Sequence, residues 1–218
     1  LKIECLFAII GGSIGGSLAW EMAALSPKIT KNLIPIACDW KSSDWLLANT
    51  MLQHQILSNS SNPVRDARIH AMLSYRSPQS FEKKFNRSFN DEKKIFNVES
   101  WLLYQGEKLQ KRFQLSSYKL MNHLLSTADI TKNKNKEFSE IVLGIKGNIY
   151  MVSVDSDLFF TDSQNRDTFY QLCRIKKNVF YNTIKSIHGH DAFLIEFDQL
   201  TSLLTNVFKN KSLTVKEL

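Results

Sequence analysis

Long apolar runs are missing from this 218-residue chain. No stretch approaches the roughly 20 apolar residues that a membrane-spanning helix needs. Cysteine is scarce: Cys5, Cys38 and Cys173 lie far apart, and no C-x-x-C pair exists. That spacing argues against zinc and dithiol redox motifs, and the odd count points to buried thiols in a reducing compartment. Lys2 followed by apolar Cys5 to Ile10 superficially suggests a secretory leader. The run is too short, and Gly11-Gly12 follows where a cleavage pattern would stand. Internal repeats are absent, as is low complexity beyond a Lys/Asn-rich loop. Charge of one sign is not lacking: 28 Lys and Arg against 21 Asp and Glu give +7. That balance permits an acidic partner. The lysines are spread over residues 83–146 and 174–216, however, and do not form one stripe interleaved with aromatics. They read as a solvated surface, with no nucleic acid expected, although a polyanionic coenzyme would profit from a basic mouth.

Hydrophobic residues make up 43% of the chain, enough for one packed domain, or a core with an insertion. The organising stretch comes first. An Ile/Phe-rich run suited to a buried strand leads into Gly11-Gly12-Ser13-Ile14-Gly15-Gly16, and a strong helix former follows. G-x-S-x-G between strand and helix is the pattern of a nucleophile elbow. The serine backbone is strained there, and small neighbours keep the turn clear of the adjoining strand and helix. The new helix points its positive end at the site. A plain loop or a phosphate cradle would share the motif; the strand–turn–helix context favours the elbow.

After Ser26-Pro27, residues 32–38 look like a second core strand, in which Pro35 argues for an edge position, a bulge or a shorter strand. Helices are expected over 43–58, with apolar Trp45, Leu46, Met51, Leu52, Ile56 and Leu57, then over 64–75, from Pro78 to about Phe85, over 98–113 and over 116–128. Asn86 to Lys94 reads as a loop. Ile141 to Ile145 is short and apolar, with strand character but uncertain pairing. Strands follow at 149–154 and 179–184, separated by a helix at 163–175, and Ala192 to Lys209 is a closing amphipathic helix. The expected fold class is α/β: a mostly parallel sheet of core residues 1–42 and 131–218, with residues 43–130 inserted as a helical lid. A nucleophile strand normally lies mid-sheet. A chain that opens on one without Met therefore reads as a fragment, its sheet incomplete at the N-terminus.

In this fold a triad runs Ser, then Asp or Glu, then His along the chain. Asp157 stands just past one strand and His190 in the loop after the next. His190 would take the proton of Ser13 and return it, and Asp157 would orient the imidazole. Asp155, Asp162 and His188 are close rivals.

These residues carry a family resemblance. The elbow with Glu21, Asp157-Leu158-Phe159, Gly189-His190-Asp191-Ala192-Phe193-Leu194, Ala67-Arg68, Ser74-Tyr75-Arg76-Ser77, Tyr104-Gln105-Gly106-Glu107-Lys108, Arg112-Phe113 and Ser117-Tyr118 together resemble the homoserine O-acetyltransferases of the α/β-hydrolase superfamily. The resemblance spans 9 to about 200. It implies a ping-pong acyltransferase of methionine biosynthesis: Ser13 takes an acetyl group from acetyl-CoA and passes it to the hydroxyl of homoserine. It implies Arg68 on the substrate carboxylate with Tyr75 assisting, Asp191 on the α-amino group, and the Ile14 amide as one oxyanion donor. Arg68 and Tyr75 are seven apart, two helical turns, so they share a face. No bound cofactor and no metal are expected. A cytoplasmic homodimer joined through the lid completes the expectation. Departures are Ser17-Leu18 and Met22 in the elbow helix, the short Asn59 to Pro63 loop, and the missing N-terminal strands, which carry the second oxyanion amide. Losing one such donor costs about 10²–10³ in rate, so these 218 residues alone are expected to be inactive. Esterase chemistry, succinyl transfer, serine as acceptor, and a non-catalytic binding protein stay open alternatives.

Overall fold

The computed structural model describes residues 3–132 and 134–209. Strand β1 (Leu6–Gly12) leads through Ser13 into helix α1 (Ile14–Leu25), and β2 (Thr30–Ile36) returns beside β1. Four helices follow: α2 (Asp44–Asn59), α3 (Pro63–Tyr75), α4 (Pro78–Phe85) and, after the short strands β3 (Phe89–Asn90) and β4 (Ile95–Phe96), α5 (Asn97–Gln110). Helices α6 (Leu115–Thr127) and α7 (Phe138–Gly144) precede β5 (Asn148–Val154), α8 (Asp162–Ile175), β6 (Val179–Ile184), a 3-10 turn (Gly189–Leu194) and α9 (Phe197–Lys209). The main sheet has the order β1-β2-β5-β6 and is parallel throughout.

A parallel sheet must be covered on both faces, which is why its strands are apolar almost without alternation. One face carries Ile9, Leu33, Ile149 and Met151 under Trp20 and Ala23 of α1, Ile141 and Val142 of α7, and Leu172 of α8. The other carries Ile34, Ile36, Val152, Val154 and Ile184 under Leu204 of α9. Helices α2 to α6 leave the sheet after β2 and return before α7. Their neck is closed by an antiparallel bridge, Lys41 to Asp129, flanked by the amides of Ser42 on the Ala128 carbonyl (2.9 Å) and Ile130 on the Trp40 carbonyl (3.2 Å). No helix among the described residues is long and apolar enough to cross a membrane.

Several sequence expectations are corrected. Strand β2 is interior, not an edge. Pro35 is tolerated because the ladder to β5 is interrupted at residues 34 and 35 and resumes at Ile36↔Val152, so the absent N–H falls in a gap. Ile141 to Gly144 is helical, closing α7 onto the Trp20 face of the sheet, and Ile145 caps it; a short apolar run does not by its period tell strand from buried helix. A short hairpin occupies part of the expected loop at 86–94. Asp162 opens α8 instead of lying in a loop, and a break at Ile195 and Glu196 separates the 3-10 turn from α9. Of the cysteines only Cys38 is buried; Cys5 and Cys173 are exposed.

Asp39, just past β2, ties the sheet to α8. Its carboxylate accepts from the Trp40 amide (2.8 Å), the Thr168 hydroxyl (3.0 Å) and more distantly from Asn165 Nδ2 (3.5 Å). Burial nonetheless outweighs these bonds and pushes its pKa up to about 7. A folded-state value above the unfolded one, ~4, means that the native state holds the proton more tightly. The stability Asp39 contributes is fully present below pH ~4 and is lost as pH rises to about 7. In thermal melts, Asp39→Asn should therefore gain on the wild type steadily across that window. A difference between the two that is flat in pH would refute the assignment.

Candidate active site

The site begins with a backbone constraint. Ser13 has φ 55° and ψ −130°, a conformation that side-chain-bearing residues rarely adopt. Its amide donates to the Ile36 carbonyl (2.9 Å), and its own carbonyl accepts from the amides of Gly16 (2.8 Å) and Ser17 (3.2 Å). The turn is so tight that a Cβ at Gly11 would lie 2.2 Å from the Gly15 carbonyl oxygen, and one at Gly16 would lie 2.1 Å from Cys38 Sγ. The glycines are thus required by close approach of backbone and neighbours.

The Ser13 hydroxyl lies 2.8 Å from His190 Nε2, and His190 Nδ1 lies 2.7 Å from Asp157 Oδ2. The other oxygen of Asp157 accepts from the amides of Phe159 (2.7 Å) and Phe160 (2.9 Å), which fixes the carboxylate at the end of β5. The imidazole is buried in an aromatic box: its centroid lies 5.3 to 5.7 Å from those of Phe159, Phe160, Phe193 and Tyr75. The rivals are engaged elsewhere. Asp155 accepts from the Ser186 amide (3.0 Å), Asp162 pairs with Arg166 (2.7 Å), and His188 Nδ1 meets the Ser80 hydroxyl (3.2 Å). A row of this kind can deprotonate a serine and return the proton to a leaving group.

Ser13 and Ile14 open onto a cavity of about 130 Å³ beneath the helical layer. Ile14 is the first residue of α1, where helix amides have no intrahelical acceptor. Tyr75 lines the cavity; Arg68 and Asp191 do not. The Arg68 guanidinium sits 5.5 Å from the Tyr75 ring centroid and has no ion pair among the described residues. Burial pushes the Tyr75 hydroxyl's pKa up, with Arg68 and Asp191 acting on it in opposite senses, so both charges are felt at that hydroxyl. Asp191 itself faces Arg76, whose Nε lies 3.2 Å from Oδ2. Among the described residues no group of three or more His, Cys, Asp or Glu could hold a metal ion.

Sequence reasoning missed the cavity's polar wall. Gln53 Nε2 donates to the Ala67 carbonyl (3.1 Å) and meets His70 Nδ1 (2.8 Å), the Tyr118 hydroxyl donates to Gln53 Oε1 (3.2 Å), and Ser74 donates to Asn49 Oδ1 (3.1 Å). A signal existed: Leu46, Asn49, Thr50, Gln53 and Leu57 are the buried stripe of α2, at helical spacing, and three of the five are polar. The expected apolar face was misplaced, since Trp45, Met51 and Leu52 are exposed.

No family model matches the chain. A curated homoserine O-acetyltransferase of Chloroherpeton thalassium is 32% identical over 94% of this chain and 56% of its own length. Another, from Methanococcus vannielii, is 32% identical over 97% of this chain and 47% of its own length. The chain is related to the homoserine O-acetyltransferases. It spans about half the length of these curated relatives. The solved homoserine O-acetyltransferase of Staphylococcus aureus superposes with a TM-score of 0.77 at 21% identity, over 99% of this chain and 62% of that one. An acetylester hydrolase of Corynebacterium glutamicum superposes with a TM-score of 0.78 at 16% identity, over 96% of this chain and 63% of that one. At such identities the likeness speaks for fold alone, and that fold is the α/β-hydrolase fold. This relative of the homoserine O-acetyltransferases therefore has a parallel core sheet whose strand ends carry Ser13, Asp157 and the His190 turn.

If His190 activates Ser13, a fluorophosphonate probe will label Ser13, and His190→Gln will slow labelling by about 10²–10⁴-fold. Equal labelling of both proteins, read by mass spectrometry of the modified peptide, would show Ser13 to be unactivated.

Proposed function

We propose that this chain carries the nucleophile, the base and the acceptor site of an acyltransferase that moves an acetyl group from acetyl-CoA to the hydroxyl of L-homoserine, a step of methionine biosynthesis. The observation that carries the reading is the Ser13–His190–Asp157 row opening on a cavity lined by Tyr75, against whose ring lies Arg68, a cation without a carboxylate partner among the described residues. Kinship with the homoserine O-acetyltransferases supports it.

In this mechanism Ser13 Oγ attacks the thioester carbonyl while His190 Nε2 takes its proton. The oxyanion meets the Ile14 amide at the positive end of α1. The carbon–sulfur bond breaks, His190 protonates the departing coenzyme A thiolate, and acetyl-Ser13 remains. The homoserine hydroxyl then attacks the ester, His190 takes that proton, and the tetrahedral intermediate expels Ser13, which recovers the proton. Asp157 stabilises the imidazolium in both halves. Arg68 would grip the acceptor's carboxylate through its planar fork, with Tyr75 beside it, and Asp191 would meet the ammonium. A zwitterionic acceptor needs both charges; hydrolysis needs neither. Acetyl-CoA is a co-substrate, and no bound cofactor enters the scheme. The same reading places the enzyme in the cytoplasm as a homodimer joined through helices α2 to α6, where Trp45, Met51, Leu52 and Leu120 are exposed.

The test uses the protein expressed from its whole gene. Thiol release from acetyl-CoA should depend on L-homoserine and exceed release with serine or with no acceptor. Arg68→Met should raise the homoserine KM about 10- to 100-fold, the loss of one charge-assisted contact. Rates indifferent to the acceptor would refute transfer and leave an esterase. For the assembly, sedimentation should give a dimer that Met51→Glu weakens; a wild-type monomer at micromolar concentration would refute it.

A further inference from the structure

Asp191 has a partner that the acceptor scheme does not use. Arg76 Nε lies 3.2 Å from Asp191 Oδ2, with the two side chains 24% and 21% exposed. Oδ1 has no partner among the described residues. The contact is an ion pair without hydrogen-bond geometry, and Arg76 Nε, shut off from solvent, donates to nothing else among them.

The backbone of Arg76 is held in place. It stands at the corner between α3 and α4, its amide donating to the Met72 carbonyl (3.2 Å). Arg76 shares the lining of a small cavity with Phe81, Phe85, Trp101 and Lys84, whose ammonium packs 4.6 Å from the Trp101 ring. The corner also touches the histidine turn directly. Gly189 has φ 68°, and a Cβ there would come within 2.8 Å of the Ser77 amide nitrogen and 3.0 Å of Arg76 Cα. The Ser77 hydroxyl donates to the Ile187 carbonyl, and the Ser80 hydroxyl meets His188 Nδ1. Corner and turn are therefore one packed unit, and the Arg76–Asp191 pair joins its two sides.

We propose that Arg76 is a positioning residue for the acceptor: it holds one oxygen of Asp191 and leaves the other facing the incoming ammonium. This rests on the acceptor reading above. Two physical roles for Arg76 predict opposite signs. A cation that merely neutralised Asp191 would weaken its pull on an ammonium, so its removal would tighten the acceptor. A cation that fixes the carboxylate's orientation would, on removal, leave Asp191 to rotate and the acceptor to bind more weakly. The one-oxygen contact, made from a corner packed backbone to backbone on the histidine turn, favours orientation.

The experiment is steady-state thiol release from acetyl-CoA with L-homoserine varied, on protein expressed from its whole gene. Arg76→Met should raise the homoserine KM about tenfold with kcat within about threefold, the scale of one partly exposed ion pair. Arg76→Lys, shorter in reach but still charged, should recover part of the loss, and it also serves as the test if Arg76→Met fails to fold. In an Asp191→Asn background Arg76→Met should change KM by less than twofold, because the partner it acts through is gone. A KM that falls, or a tenfold rise that persists without Asp191, would overturn the role of Arg76 and leave the acceptor reading intact. Wild-type turnover indifferent to homoserine would overturn both.

Discussion

The backbone of Ser13 is the constraint on which the rest depends. A side-chain-bearing residue at φ 55° and ψ −130° carries strain of order 1–3 kcal/mol, and the neighbours must over-determine it. They do so from three directions. The Ile36 carbonyl takes the Ser13 amide, which ties the elbow to β2. The Ser17 hydroxyl donates to the Asp39 carbonyl (3.1 Å), tying the first turn of α1 to the residue that anchors α8. Gly11 and Gly16 let strand, turn and helix approach closer than any side chain allows. The result is a hydroxyl raised at the strand ends, with the amide end of a helix behind it.

The imidazole is placed by a different device. His190 lies on a 3-10 turn, a weaker support than a strand, and its position comes from contacts on every side: Asp157 below, four aromatic rings around it, and the α3–α4 corner across Gly189. Phe193 also presses on Gly12, where a Cβ would lie 2.5 Å from its ring, so the turn that carries His190 touches the turn that carries Ser13. Tyr75 belongs at once to the box around His190 and to the wall of the cavity. Helix α3 therefore contributes to cavity and imidazole alike, and a displacement of α3 would reach both.

Much of this was legible in the chain. The elbow could be read because glycine spacing reports a local steric requirement, and Asp157 and His190 because strand ends in a parallel sheet point to one side. Strand β6 was delimited as observed, its β-branched and aromatic residues bounded by turn formers. What escaped depended on tertiary context. The helix at α7 and the strand expected there have the same short apolar signature, and only packing against Trp20 and Val179 decides between them. The interior place of β2 was hidden by Pro35, whose missing donor is harmless only because the partner strand skips that position. Arg76 was visible within Tyr75-Arg76-Ser77, but nothing local says that its guanidinium reaches a carboxylate 115 residues further along the chain. The burial of Asn49 and Gln53 is masked by the more hydrophobic Trp45, Met51 and Leu52 beside them, although their helical stripe with Leu46 and Leu57 is present in the sequence.

That polar wall has an internal logic. Gln53 spends one amide hydrogen on the Ala67 carbonyl and turns the other to His70 Nδ1. The nitrogen it meets must then be the unprotonated one, so His70 is neutral and carries its proton on Nε2. Burial pushes the His70 pKa down, in the same direction. With both amide hydrogens committed, Gln53 Oε1 has one orientation left, toward the Tyr118 hydroxyl, and that hydroxyl becomes a donor to Gln53. The lone pairs of Tyr118 are what remain for the cavity. A protonated His70 would present N–H to N–H, and Gln53 could relieve this only by turning its oxygen onto the Ala67 carbonyl. A neutral His70 accepting at Nδ1 is thus the partner that this arrangement of the wall requires.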